Sequence, residues 1–229
     1  MKRIVVLIIA IICCLTSVEL KAQKTKEFAG TVKFVVKSQS EEESQKSVND
    51  SNVITYIILG NNTKTTIPHQ GYTENRLSFG DSAQEWTILD TPTEIIVVKK
   101  TKEDFDEEKE TIKLTVTPLD ETKVICGYTC KRYDLKFENL ENGKETTIIC
   151  FTTEEIGVDE RINFDSPGLK GYTLYQEIIG EKGKIIVEAI EVKKKKISPA
   201  EFLMPANAKV MTYSEFIEAI NAQQNQGEE

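Results

Sequence analysis

Histidine is nearly absent from this sequence, since His69 is the one histidine among 229 residues. Catalysis by a nucleophile and a base normally depends on a positioned histidine or an equivalent base, and His69 follows a proline in a predicted turn. The sequence also lacks a G-x-S-x-G elbow, an H-E-x-x-H helix and a phosphate-binding loop. With 37 acidic residues in the chain, any pair of carboxylates is uninformative. We therefore predict that the protein is not an enzyme, uses no cofactor and has no metal site.

Positive charge is in deficit, with 29 Lys and Arg against 37 Asp and Glu, and the formal net charge is −8. Nucleic-acid binders neutralise phosphates with clustered Lys and Arg, so this balance predicts no nucleic-acid partner. Lys193 to Lys196 form a basic run, and such runs can bind anionic surfaces. A solvated strand end that opposes the Glu-rich loops is the simpler interpretation.

Long apolar runs are absent after residue 15. The run Ile4 to Leu15 is shorter than the roughly 20 residues that span a bilayer. Lys2 and Arg3 precede it, and Leu20-Lys21-Ala22 is a plausible cleavage site, so residues 1–22 are predicted to be a signal peptide. An N-terminal membrane anchor is the alternative. We expect an exported, soluble protein, periplasmic or extracellular, with residues 23–229 as a single β domain.

Cysteine is scarce in the predicted mature chain, where Cys126, Cys130 and Cys150 remain in an oxidising setting. Their spacing does not match the C-x-x-C of thioredoxin-like redox sites. A tight turn at Glu141–Lys144 sets Cys150 opposite Leu135, whereas a loop of about six residues sets it opposite Cys130. We predict a structural disulfide between Cys130 and Cys150. A bond between Cys126 and Cys130 across the intervening glycine turn stays open.

The dominant pattern in the chain is the alternation of apolar and polar residues that is typical of half-buried strands. Phe28, Val32 and Phe34 fall on one face of the first strand, while Thr31 and Lys33 fall on the other. Further strands are predicted at 53–59, 63–67, 75–79, 85–89, 93–99, 112–116, 123–126, 128–137, 146–152, 172–178 and 185–192. The chain is therefore expected to be mainly β, with antiparallel pairing.

Helix signals are sparse and lie near the C-terminus. Ser198-Pro199-Ala200-Glu201 begins a capped helical turn, and Thr212-Tyr213-Ser214-Glu215 begins a last helix. Between them the chain reads as an extended, Pro-containing segment. The acidic stretch Thr101 to Glu110 is predicted to be a solvated hairpin end.

Four short motifs resemble a group of small exported bacterial proteins of unknown function, whose fold is similar to that of the lipoprotein carriers LolA and LolB. The motifs are Phe28-Ala29-Gly30-Thr31-Val32, Glu85-Trp86-Thr87-Ile88-Leu89-Asp90, Gly127-Tyr128-Thr129-Cys130-Lys131 and the closing stretch 197–216. The resemblance implies a strongly curved antiparallel sheet, an unclosed half-barrel, with helical segments on the concave side. In LolA and LolB the apolar concavity holds acyl chains.

Two functions follow as expectations. The first is a periplasmic or envelope protein that binds an apolar or lipid-like ligand in the concavity of the half-barrel. If the alternating face chosen here is the concave one, the candidate lining residues are Phe28, Val32, Phe34, Trp86, Ile88, Tyr172 and Leu174. The second is a non-catalytic structural or interaction module with an envelope protein as partner, whose concave side is filled by its own side chains. The oligomeric state does not follow from the sequence.

Overall fold

The computed structural model describes residues 27–39, 53–156, 160–180 and 183–226. Twelve strands of these residues form one sheet, accompanied by two α-helices and two 3₁₀-helices. The fold is mainly β, with an unclosed curved sheet and a short C-terminal helix, which confirms the predicted fold class. The predicted signal peptide at residues 1–22 lies outside the described residues.

The strands range from 4 to 14 residues and are separated mostly by turns. Their bounds are β1 Ala29–Gln39, β2 Val53–Leu59, β3 Asn62–His69, β4 Tyr72–Phe79, β5 Gln84–Asp90, β6 Ile95–Lys100, β7 Ile112–Ile125, β8 Tyr128–Asn139, β9 Glu145–Thr153, β10 Tyr172–Gly180, β11 Gly183–Lys194 and β12 Lys209–Thr212. The helices are α1 Lys102–Thr111 and α2 Tyr213–Gln226, and the 3₁₀-helices are Glu160–Asn163 and Pro199–Phe202.

The sheet consists of two antiparallel meanders joined through β1. β2 to β6 follow each other on one side of β1, and β11 to β7 follow each other on the other side, so that β12 and β7 are the two ends. β12 pairs in parallel with β6, with Lys209 opposite Ile96. The other described pairs are antiparallel. The sequence predicted an extended segment here but no strand, because four residues without clear alternation give no periodic signal.

Helix α1 shows that the prediction of a solvated hairpin end at Thr101 to Glu110 is wrong. The Asp104 carboxylate accepts a hydrogen bond of 2.7 Å from the Thr101 backbone N–H and caps the helix, an Asp variant of the capping box. Phe105 is buried, and its ring centroid lies 5.0 Å from that of Phe164. The remaining residues are mostly Glu and Lys, which favour helix. The charge that indicated a loop therefore forms the solvated face of a helix.

The short connection through helix α1 requires the sheet to be curved. It joins β6, next to one end of the strand order, directly to β7 at the other end. Ten helical residues span about 15 Å, whereas the same two strands in a flat sheet would stand about 50 Å apart. The sheet must therefore curl until its two ends approach each other, with α1 across the gap.

The strand registers assign side chains to the two faces of this sheet. Val32 lies opposite Tyr56, Tyr56 opposite Thr65, Thr65 opposite Arg76, and Arg76 opposite Thr87. Opposed residues share a face, and successive residues along a strand alternate between faces. Val32 and Thr87 therefore share one face. We call this the concave face, because residues of both sheet ends that share it line a common cavity, described below.

The buried side chains form three clusters. The central cluster contains Phe28, Val32, Phe34, Ile58, Ile125, Cys130, Phe151, Ile156, Ile162, Tyr172, Leu174 and Ala189. The outer cluster contains Leu77, Ile88, Val97, Ile197 and Phe202. The end cluster contains Tyr133, Leu135, Cys150 and Leu169. The outer cluster lies on the convex face of β4 to β6, where the predicted cap at Ser198 holds the covering turn: its hydroxyl accepts a hydrogen bond of 3.2 Å from the Ala200 N–H.

Candidate functional site

The seven residues predicted to line a ligand cavity belong to two separate clusters. Five pack into the central cluster, each at most 8% exposed: Phe28, Val32, Phe34, Tyr172 and Leu174. They contact protein side chains, as where the Phe34 ring centroid lies 6.4 Å from that of Tyr172 and 5.4 Å from that of Tyr56. Phe28 also borders a second cavity, which lies where β1 begins and β11 ends.

Trp86 and Ile88 lie on the opposite face of the sheet. Their neighbour Thr87 shares the concave face with Val32, so Trp86 and Ile88 point to the convex side. Ile88 is buried in the outer cluster, and Trp86 packs against that cluster with its ring centroid 4.6 Å from that of Phe79. The structure therefore does not bring these two residues to the other five.

A cavity of about 690 Å³ opens on the concave face between the two ends of the sheet. We call it the concave cavity. Its apolar wall comes from the start of β7, from β8 and from the residue after β8, namely Ile112, Leu114, Phe137 and Leu140. Its charged wall comes from β5, β6 and α1, namely Glu85, Lys100, Glu108 and Lys109. The segment 165–167 forms a third side.

The apolar wall is partly open to solvent, although Leu114 and Phe137 also pack against the end cluster. Leu140 is 54% exposed and Ile112 is 39% exposed. The backbone at Leu140 is nevertheless held in place, because its N–H donates a hydrogen bond of 2.9 Å to the Thr111 carbonyl at the end of α1. The cavity lining therefore contains two apolar side chains, Leu140 and Ile112, that stay largely open to solvent, and the backbone at Leu140 is tied to the end of α1.

The charged wall is organised around Lys100. Its Nζ lies 2.5 Å from the Glu108 carboxylate, 4.3 Å from the centroid of the Phe105 ring and 4.7 Å from that of Tyr213. The Tyr213 hydroxyl donates a hydrogen bond of 3.0 Å to Glu108. An ion pair with cation–π contacts thus connects β6, α1 and α2, and it fixes this wall of the cavity.

Two carboxyl groups in the cavity have a raised pKa. Burial raises the pKa of Glu85, and the nearby negative charges of Asp165 and Glu108 act in the same direction. Burial likewise raises the pKa of Asp165. Within the described residues the Glu85 carboxylate has no hydrogen bond or ion pair, although the charges of Arg76 and Lys100 partly offset its desolvation. Perturbed groups of this kind concentrate at functional sites.

The predicted disulfide between Cys130 and Cys150 is wrong. All three described cysteines are free thiols. Cys150 lies opposite Tyr133 on β8, three residues from Cys130, so the two Cα atoms are roughly 10 Å apart along the strand direction. A disulfide needs about 4.4–6.8 Å. The two thiols also belong to different clusters, and burial raises the pKa of Cys130 to about 11 and that of Cys150 to about 12.

A second cavity of about 540 Å³ lies where the first and last long strands of the sheet end together. Its lining combines Phe28 and Ala29 with Glu27, Glu155 and the basic residues 194–196. Two glutamates and three lysines line it, so the charges largely compensate each other. The basic run predicted to be a solvated strand end does lie at the end of β11.

Two weak signals for the concave cavity are present in the sequence. The alternation of Leu114 and Val116 and of Leu135 and Phe137 identifies an apolar face at the far end of the sheet. An acidic residue, Glu85, directly before the single Trp in a predicted strand is a second signal. What the sequence could not supply is that these two strand segments meet across the concavity.

Searches of protein-family models and of curated proteins return no match to this chain. No helix among the described residues is long and apolar enough to cross a membrane. In the same residues, no group of three or more His, Cys, Asp or Glu side chains is arranged to hold a metal ion.

Proposed function

We propose that this protein binds a lipid-like, amphipathic ligand in the concave cavity and performs no catalysis. The observation that carries the proposal is an apolar wall beside a charged wall, with the exposed side chains of Leu140 and Ile112 among the residues that line the cavity. A volume of about 690 Å³ lies in the usual range of small-molecule sites, about 300–1,000 Å³. Each methylene buried there contributes about 0.8 kcal/mol.

The proposal keeps the expected class of ligand but moves its site. The five residues of the central cluster supply the packed scaffold, and the ligand lies between α1 and the two ends of the sheet. The resemblance to LolA and LolB supports an apolar ligand in an open half-barrel, and the signal-like residues 1–22 support export to the periplasm or exterior. Both remain part of the proposal.

The test is a binding measurement with a blocked wall and a matched control. Leu140→Glu puts a charge into the apolar wall, while Ile179→Glu puts the same charge on β10, outside the lining of the concave cavity and at 47% exposure. We expect 1-decanol to bind the parent protein and the Ile179 variant equally in calorimetric titration, with binding lost in the Leu140 variant. Native mass spectrometry of protein isolated from its own host then shows whether an extractable ligand accompanies it. No decanol binding by the parent protein would refute the proposal.

The alternative is a structural or interaction module of the cell envelope. The dense packing of the central cluster favours it, because that cluster fills much of the concave side with the protein's own side chains. The hypothesis of an interaction module predicts that protein isolated from its host has the mass of the chain without a ligand, and that decanol does not bind.

A further inference from the structure

The charges around the concave cavity are unevenly compensated. Each lysine that lines it is paired with a carboxylate, and Lys109 shares its partner Asp106 with Lys102. The nitrogen-to-oxygen distances are 2.5 Å for Lys100 and Glu108, 3.2 Å for Lys109 and Asp106, and 3.5 Å for Lys113 and Glu138. The positive charge at the cavity is therefore already committed to pairs within the protein.

The negative charge is not committed in the same way. Asp165 is hydrogen-bonded only locally, to its own backbone and to the Ser166 side chain. Glu85 is held on β5 and faces the concave side between Ser78 of β4 and Lys100 of β6. Its carboxylate has no hydrogen bond or ion pair within the described residues. A partly buried carboxylate without a partner is costly, and a ligand that supplies the missing partner recovers that cost.

The chemistry of this partner follows from the sign of the charge. An anionic headgroup would meet the Glu85 and Asp165 carboxylates without a free lysine to receive it, since like charges in a partly desolvated site repel. A neutral hydroxyl can donate one hydrogen bond. A protonated amine donates up to three hydrogen bonds and adds an ion pair, and charge-assisted bonds are roughly twice as strong as neutral ones.

Accepting the proposed function, we infer that the ligand of the concave cavity is a cationic amphiphile. Its ammonium group pairs with Glu85, with Asp165 as the second carboxylate, and its alkyl chain lies along Leu114, Phe137 and Leu140. The charged and apolar walls face the same cavity, so one extended molecule contacts both. Glu85 is thus the residue that selects the headgroup.

The test compares three probes with the same ten-carbon chain: decylamine, 1-decanol and decanoate, each below its micelle-forming concentration. In calorimetric titrations at neutral pH we expect decylamine to bind at least about tenfold more tightly than decanol, and decanoate to bind more weakly than decanol. Glu85→Gln should remove the preference for the amine and weaken decylamine binding far more than decanol binding. Glu177→Gln is the control, because Glu177 lies outside the cavity lining and pairs with Lys184 at 2.9 Å.

The outcomes separate the two levels of the proposal. Equal binding of all three probes, or an amine preference that survives Glu85→Gln, overturns the cationic ligand and leaves the apolar cavity site standing. Tighter binding of decanoate than of decylamine, lost in Glu85→Gln, also overturns the cationic ligand. The decanoate and Glu85 carboxylates would then share a proton in place of an ion pair. No binding of any probe overturns the proposed function itself. Thermal unfolding of each variant checks folding, and Asp165→Asn provides a second variant with an expected, smaller loss of amine preference.

Discussion

Leu174 and Leu140 are the same side chain in two opposite surroundings. Leu174 is fully buried in the central cluster, while Leu140 is 54% exposed at the edge of the concave cavity. Alternation in the sequence indicates the first kind of residue, since Leu174 shares its strand with Tyr172. Leu140 lies after β8 and belongs to no alternating pattern. Alternation therefore identifies a core residue such as Leu174, but it gives no signal for Leu140, which borders the candidate site.

The difference has an energetic meaning. Burial of the central cluster contributes to the free energy of folding and leaves no apolar surface to gain from a ligand. In the apolar wall, the exposed surface of Leu140 and Ile112 contributes little to folding and is available for binding instead. Leu174 and Leu140 therefore separate stability from binding, which makes the two roles testable one at a time, whereas Leu114 and Phe137 belong to both the end cluster and the cavity wall.

The sharpest test applies one substitution to both leucines. Leu174→Ala should lower the free energy of unfolding by about 2–5 kcal/mol, because it leaves a cavity in packed surroundings. Leu140→Ala should change it by no more than about 0.5 kcal/mol, as at other exposed positions, yet weaken the binding of decanol. Chemical denaturation and calorimetric titration measure the two effects. A loss of decanol affinity in folded Leu174→Ala protein would contradict the separation.

A second pair of variants compares the carboxylate of the cavity with a paired carboxylate elsewhere. The pKa of Glu85 is raised by burial, so the folded state binds the proton more tightly than the unfolded state. Stability then falls as the pH rises from the ordinary value through the raised one. We expect Glu85→Gln to remove this dependence and to raise the midpoint of thermal unfolding at neutral pH.

For Glu177 we expect the opposite dependence of stability on pH. The hydrogen bond from Lys184 holds its pKa below the ordinary value, so its contribution is present at neutral pH and is lost as the pH falls through the lowered value. Glu177→Gln should lower stability at neutral pH by about 1 kcal/mol or less, as for other partly exposed ion pairs. Thermal melts from acid to neutral pH measure both variants. If both substitutions lowered stability at neutral pH, Glu85 would have a stabilising partner of its own.

The sequence predicted the strands well because their period is local information. The alternation of Phe28, Val32 and Phe34 and the capping motif at Thr212 are confirmed, the latter by a hydrogen bond of 2.7 Å from the Thr212 N–H to the Glu215 carboxylate. Helix α1 was missed because the cap formed by Thr101 and Asp104 stands in a run so acidic that it resembled a loop.

The cavity and the cysteine pairing could not be predicted because both depend on register and curvature. One residue of register decides which face a side chain takes, and Trp86 was assigned to the concave face although its neighbour Thr87 occupies that position. The same uncertainty placed Cys150 opposite Cys130 in place of Tyr133. The charged and apolar walls meet only because the sheet curls, and no local pattern reports the curvature.

Trp86 in the outer cluster allows a finer comparison within the core. Its indole N–H is buried and finds no acceptor in the described part of the chain, which costs about 1–3 kcal/mol. Trp86→Phe removes this donor but also loses packing volume, so the two effects should nearly cancel and leave stability within about 1 kcal/mol. Ile88→Val on the same face is the control and should cost about 0.5–1.5 kcal/mol. A larger loss for Trp86→Phe, measured by chemical denaturation, would mean that the indole N–H has a partner.

The smallest expected effect concerns the thiols of the packed clusters. Cys130 lies in the central cluster and Cys150 in the end cluster, so no covalent bond should link the two parts of the core. A structural disulfide typically contributes about 2–4 kcal/mol, and its reduction would lower the unfolding midpoint. We expect the midpoint of the purified protein to be the same with and without dithiothreitol. Mass spectrometry of the unfolded, alkylated protein should find Cys126, Cys130 and Cys150 all modified without prior reduction. A midpoint that falls with reductant would show that oxidation shifts the β8 and β9 register, and the separation of the two clusters would then depend on the redox state.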